Sequence, residues 1–423
     1  MTTRKCRPVV VTGVGVVAPT GLDTDAFFSS LLEATANQEP IDAFDASGFK
    51  ASVGGQVRNY EPLTYVKKKK KLKLMGPNIT FAVGAASMAA EQAGLSASGV
   101  APERLGVTLG ARTRISDFAE LEKCVITSLD EEGKFDFKKY ANEGRSHVYP
   151  LSMLRNLPNM AAAHLSIMHK ALGPTDSITN GAPSALQAVG ESLRTIERGD
   201  ADIMIAGGTD SLVTPLDLCQ LTCLGTLMQS KDVGCNPFAA NANGGMAGEG
   251  AAIFILEAKE HAQARGATIL AELLAFAEGF EPSFPQSTEL ASGTWTRALR
   301  KADCSIDDLG AVSLSGAGYK LWDDFELAYA AQMQSKVPMW SSRAHIGFAG
   351  AAMSALDLAA AITSANKGIV PPTANCDELS ELAKSINLVR AEKMQVNSPL
   401  RLVTSYNRAG ANAALLISGQ GVA

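Results

Sequence analysis

Apolar positions in this chain come in two patterns that follow one another along its length. Short unbroken runs read as buried strands: Val9 to Val17, Gly106 to Gly110, Asp202 to Gly208, Ala311 to Ser315, Val403 to Asn407 and Ala413 to Ser418. Between them lie stretches of helical period. Ala185, Leu186, Val189, Leu193 and Ile196 recur at helical spacing over Pro183 to Arg198, and Gly199 supplies the stop. A second, Ala-dense stretch from Ala349 to Asn366 ends at Lys367-Gly368, ahead of Pro371-Pro372. A small-residue helix is predicted from Thr80 to Gly94. Helices so rich in Ala pack close to other backbones and are expected to be buried all round. One such helix per half, each after a Gly-containing turn, predicts an α/β protein with mixed sheets and a duplicated architecture. The halves are placed at residues 1–260 and 261–423, with an irregular insertion at about 113–150.

Composition narrows the class. The chain has 423 residues, 46% hydrophobic and 19% charged, which excludes disorder as the dominant state. A net charge of −5 argues against a nucleic-acid binder. No run of about 18 apolar residues offers a membrane span. Met1 to Pro8 has basic residues but no apolar core, so no signal peptide is expected. Seven scattered cysteines show no zinc spacing and fit reduced thiols in the cytoplasm. Cys219, Cys223 and Cys235 are expected to be small buried side chains.

Four segments then carry a resemblance, in order and in register. They are VVVTGVGVVAPTG at the start, GDADIMIAGGTDSLVTPL, NPFAANANGGMAGEGAAIFILE, and SSRAHIGFAGAAMSALDLAAAITSANKGIVPPTAN near the end. Together they resemble the β-ketoacyl-ACP synthase family over essentially the whole chain. The resemblance implies a thiolase-like fold, a duplicated α-β-α-β-α layered architecture with two pseudo-symmetric halves. It also implies a chemistry: acyl transfer to a cysteine at a helix N-terminus, two histidines that assist decarboxylation, and an oxyanion hole of backbone N–H groups. In register, Ala182 stands at the cysteine, Ser315 and Phe348 at the two histidines, Arg343 at a lysine, and Arg408 in the oxyanion loop. Gly316, Gly347 and Gly410 of the framework are kept.

A methyl group has no lone pair, so the resemblance points to the catalytically inactive branch, similar to the chain length factor of type II polyketide synthases. Chain length factors typically carry glutamine at the cysteine position, where this chain has alanine. Such a subunit pairs with an active ketosynthase, works on chains held by phosphopantetheinyl acyl carrier protein, and needs no cofactor or metal of its own. Two other readings stay open: a malonyl-ACP decarboxylating or otherwise altered ketosynthase, and an acyl-ACP binding module. Ser184 reads as a helix N-cap rather than a substitute nucleophile. His345 lies three residues before the histidine position and is expected to point elsewhere. Ile115, Phe118, Leu121, Glu122 and Val125 either gate a tunnel for the growing chain or belong to an ordinary amphipathic helix packed on the core. Lys67, Lys68, Lys69, Lys70 and Lys71 either dock an acidic carrier protein or form a solvated charge run.

Overall fold

In the computed structural model the described residues are 7–36, 38–114, 118–229, 234–281 and 293–421. The strands used below are β1 (Val9–Val17), β2 (Leu105–Gly110), β3 (Thr175–Ile178), β4 (Ile203–Ser211), β5 (Ala247–Ala258), β6 (Ala271–Phe280), β7 (Ala311–Ser313), β8 (Met339–Trp340), β9 (Leu400–Tyr406) and β10 (Ala411–Gly419). They run in the order β3-β2-β4-β5-β1-β6-β10-β9-β7-β8 within an 11-stranded sheet, with Gly54–Gly55 paired to β5 off this path. The order is a palindrome about the β1–β6 junction. On either side, two antiparallel pairings (β1–β5 and β5–β4; β6–β10 and β10–β9) are followed by two parallel ones. This is the duplicated architecture read from the sequence.

Period-two alternation sorts each strand's side chains into different layers. Ile203, Ile205, Ile253 and Ile255 face a cluster with α1 (Pro77–Gln92) and α2 (Met160–His169). Met204, Ala206, Phe254 and Leu256 face the opposite way, into the central cluster. In the second half, Ala413, Leu415 and Ile417 point into that centre, while Ala414 and Leu416 point to an outer cluster containing Trp295 and Leu327. Those two belong to α3 (Thr294–Lys301) and α4 (Lys320–Gln332). The centre itself holds α5 (Ser184–Arg198) and α6 (Met353–Lys367) in contact with each other. The result is the five-layer α-β-α-β-α stack. Every residue of α6 from Met353 to Ala365 is buried, as its Ala content predicts.

Two glycines set how closely the first outer layer packs. A Cβ on Gly13 would lie 2.1 Å from the Ala89 carbonyl oxygen, and one on Gly15 would lie 1.9 Å from that of Ala85. Helix α1 therefore rests directly on the backbone of β1, which is why it is built from Ala and Gly. Two expectations are corrected. Helix α6 begins at Met353 rather than Ala349, because Gly347 and Gly350 adopt positive φ and only a 3₁₀ turn, Gly350–Ala352, precedes it. Cys219 and Cys223 are exposed: their helix, α7 (Pro215–Cys223), turns Leu218 and Leu221 inward, so this i, i+4 pair faces out. Cys235 is buried as expected. Among the described residues no helix is long and apolar enough to cross a membrane.

Replacing Gly15 with Ala is expected to cost about 3 kcal/mol in urea denaturation, because a helix carbonyl has nowhere to go. Gly48→Ala is the control, with nothing within 4 Å of the new methyl, and should leave the midpoint nearly unchanged. Equal effects would show that the β1–α1 contact is not limiting.

Candidate functional site

The site forms where strand β3 turns into the central helix α5. Gly181 makes the turn at φ +64, and Ala182 is fully buried just ahead of the helix. The turn is held from both sides. Ser354 Oγ of α6 donates to the Ala182 carbonyl at 2.7 Å, and Asn407 Nδ2 donates to the Asn180 carbonyl at 2.9 Å. Ser184 does not cap the helix, contrary to the expectation. Its hydroxyl accepts from the backbone N–H of Asn180 at 2.7 Å and so closes the turn itself.

The facing wall is the segment after β7. Its backbone N–H groups point down into two buried acids: Ser315 and Gly316 donate to Glu326 at 2.7 and 2.9 Å, and Ala317 donates to Asp323 at 2.6 Å. Burial pushes both carboxyls up to about 7, against the pull of these donors. Beneath them Arg343 is buried and makes a short contact with Asp357. Burial lifts Asp357 and lowers Arg343, while the contact between them works against both shifts. The guanidinium also donates to the carbonyls of Ser315 at 2.9 Å and Gly347 at 3.2 Å. It thus ties together the two segments that carry Ser315 and Phe348. Such a buried pair fixes geometry more reliably than it adds stability.

Between these walls lies a cavity of about 240 Å³. Its lining includes Ala182 and Phe348, the leucines Leu221, Leu224 and Leu227, and Arg408. Tyr319 and Trp322 continue the aromatic side, with ring centroids 6.0 Å apart, and Trp322 lies 6.2 Å from Phe348. Among the described residues, no cysteine or histidine lines it. The thiol of Cys235 is buried elsewhere, and burial pushes it up to about 12, so it is no nucleophile. His345 does point away, as expected: its Nε2 lies 3.1 Å from the Glu33 carbonyl and its ring borders a different cavity. Burial lowers it to about 4, leaving it neutral at pH 7.

The structure brings Ala182, Phe348 and Arg408 to one cavity, with Ser315 and Arg343 in the wall behind it. The remaining candidates lie elsewhere. Ile115 falls outside the described residues. Phe118, Leu121, Glu122 and Val125 lie on a helix, Phe118–Thr127, whose only buried residue is Cys124. The reading of that helix as packed on the core is therefore corrected, since Phe118 is 43% and Ile126 61% exposed. Lys67 to Lys71 are exposed and form no ion pair among the described residues. Sequence reasoning missed Leu221, Leu224, Tyr319 and Trp322. Only the i, i+3 spacing of the leucines hinted at a shared face, and nothing local said what that face would meet.

The fold and site together define a protein of the thiolase-like class. The β-ketoacyl synthase N-terminal domain matches residues 6–262 and the C-terminal domain residues 271–377. The chain belongs to the β-ketoacyl synthase family. It is 28% identical to the 3-oxoacyl-[acyl-carrier-protein] synthase 2 of Vibrio harveyi, over 97% of this chain and 98% of that protein. It is likewise 28% identical to the tetracenomycin polyketide synthase ketoacyl synthase alpha subunit of Streptomyces glaucescens, over 89% of each. Among solved structures, the ishigamide ketosynthase/chain length factor superposes with a TM-score of 0.86 at 24% identity, over 98% of this chain and 100% of that one. A chain of the AntDE:AntF structure, described as a type II polyketide synthase acyl-carrier protein in complex with its ketosynthase, superposes with a TM-score of 0.79 at 25% identity, over 98% of this chain and 100% of that one.

Glu326 gives the site a pH signature. Its carboxyl is raised in the fold, so between about pH 4 and pH 7 the folded state holds a proton that the unfolded chain has released. Stability should therefore fall as pH rises through this window and level off above it. Asp323 and Glu249, each pushed to about 7, act in the same direction. Melting temperatures from pH 5 to pH 8 should show the decline, and Glu326→Gln should make it shallower. An unchanged slope in the variant would remove Glu326 as a cause.

Proposed function

We propose that this chain is a non-catalytic, chain length factor-like subunit that pairs with an active ketosynthase and limits the length of chains carried on acyl carrier protein. The observation that carries this reading is the cavity at the start of α5, which has the methyl of Ala182 where acyl transfer needs a nucleophile. Neither general base nor hydrogen-bond donor is offered by Phe348 across from it. Groups that act as a unit leave little rate when all are missing. The decarboxylating alternative needs histidines, and among the described residues none lines this cavity.

Pairing is supported by the insertion. Ile126, Phe135 and Phe137 are 61, 43 and 79% exposed. Large apolar side chains left in solvent on such a segment are what a partner surface would cover. The solved neighbours whose names describe a ketosynthase/chain length factor and a ketosynthase with its acyl carrier protein support the kind of partner. The exposed lysines from Lys67 to Lys71 supply a basic surface that would steer an acidic carrier protein toward the complex.

Incubated with acyl-ACP or a cysteine-directed inhibitor, the chain should gain no acyl group at the site. Peptide mapping must separate labelling of the exposed Cys219 and Cys223 from the site itself. Ala182→Cys serves as the control that the position can be reached. Stoichiometric acylation of the native chain near residue 182 would overturn the reading.

A second test concerns length. Phe118→Ala, at an exposed position, should change the stability of the chain by no more than about 0.5 kcal/mol, and Leu121→Ala, at a half-buried one, by about 1 kcal/mol. In the complex with the active partner they should lengthen the product, because the truncated side chain leaves room for further two-carbon units. A product profile by mass spectrometry that matches the unsubstituted complex would reject gating by this helix.

A further inference from the structure

A second cavity, of about 400 Å³, shares no lining residue with the one at the start of α5. Its walls come from three stretches of chain: residues 18–22 after β1, residues 54–59, and the turn Arg343–Ile346 that carries His345. The backbone holds these stretches in place. Ala18 and Gly21 exchange N–H···O bonds at 2.9 and 3.3 Å, and the Gly54 N–H donates to the Glu39 carbonyl at 3.1 Å. Gly55 packs so closely on the last turn that a Cβ there would lie 2.2 Å from the Ile346 carbonyl oxygen. Each stretch brings one polar side chain with hydrogen-bonding capacity to spare. Thr20 Oγ1 is out of solvent and has no partner among the described residues. The Asn59 side chain makes no hydrogen bond among the described residues, and its backbone sits at φ +58, which Asn accepts more readily than most residues do. The His345 ring is engaged there only through Nε2, 3.1 Å from the Glu33 carbonyl. A carbonyl can only accept, so Nε2 carries the proton and Nδ1 keeps a lone pair.

Charge in the lining is already matched. Arg58 lies 3.0 Å from Glu39 and 3.4 Å from Asp42, and it donates to the Pro40 carbonyl at 2.6 Å. An acid would find that cation engaged by two carboxylates, so ion pairing has little to offer it. A hydrocarbon would leave a hydroxyl, an amide and an imidazole nitrogen without partners once water is displaced, which is costly. Leu22 and Met246 supply apolar wall beside these polar groups. A compact ring with hydroxyls around its edge and C–H groups on its faces satisfies both kinds of surface. Space is sufficient, since a cavity of about 150 Å³ already admits benzene. We propose that this cavity binds a neutral, polyhydroxylated ring of monosaccharide size, its hydroxyls exchanging hydrogen bonds with Thr20, Asn59 and Nδ1 of His345 while its C–H faces rest on Leu22 and Met246. No bond to the protein forms or breaks. The site depends neither on what stands at Ala182 nor on pairing with a ketosynthase.

The test is ligand-observed saturation-transfer NMR on the full chain with three compounds: glucose, glucuronate, which adds a carboxylate to the same ring, and cyclohexanol, which keeps a ring with one hydroxyl. Glucose should bind saturably and more tightly than either of the others. Thr20→Val removes a hydroxyl that bonds to nothing among the described residues, and Asn59→Gly removes an amide at a φ that glycine adopts freely, so both variants should keep the melting temperature of the parent chain. Each should weaken glucose about fivefold, the size of one lost hydrogen bond, and the double variant should lose saturable binding. Cyclohexanol should be unaffected by either change. No saturable binding of glucose would mean a crevice that holds water only, and would overturn the proposal. So would glucuronate or cyclohexanol binding as tightly as glucose, or a folded double variant that binds glucose like the parent.

Discussion

The close approach of the two central helices, α5 and α6, is the constraint on which the rest of this molecule depends. Both lie between the two halves of the sheet, and α6 is buried over nearly its whole length. A helix in that position cannot carry large side chains on every face without forcing the layers apart, and α6, buried all round, is dense in Ala. Ser354 shows how tightly the arrangement is joined. Its hydroxyl donates to the Ala182 carbonyl at 2.7 Å and accepts from the Leu186 N–H at 3.3 Å, so the start of one helix is pinned by the start of the other. The cavity opens beside that junction, where the ends of the two halves meet.

The walls of the cavity are held by polar side chains even though its interior is apolar. Glu326, Asp323, Arg343 and Asn407 each satisfy backbone groups of the loops that form the walls. Such groups preorganise a site by holding loops in one place. What they hold in place here is a methyl, a phenyl ring, leucines and one exposed guanidinium. Held in this way, the lining offers a chain mostly apolar contact.

Much of this was legible in the sequence, for reasons that differ from element to element. The strands and the long helices follow from periodicity, because burial on one or both faces is imposed by layers that every residue of the element must satisfy. Segments such as GDADIMIAGGTDSLVTPL carried the family because a turn that brings backbones into contact tolerates few residues. The site positions Ala182, Phe348 and Arg408 could be placed by register, and the structure gathers them at one cavity. The start of α6, the exposure of Cys219 and Cys223, and the role of Ser184 could not be read in this way. Each depends on which neighbour a side chain meets, not on the pattern around it.

The chain by itself determined the alternation of strands and helices, the duplication, and the residue types available at the site. Those are set by local propensity and by the spacing of apolar side chains, which a sequence shows directly. Only the tertiary structure decided what the site is made of. Asn180 and Asn407 are 227 residues apart and bond across the cavity. Leu224 and Trp322 line the same space as Ala182 although nothing near them in the chain announces it. A pocket is a property of surfaces brought together by long-range packing, and no local pattern specifies which surfaces will meet.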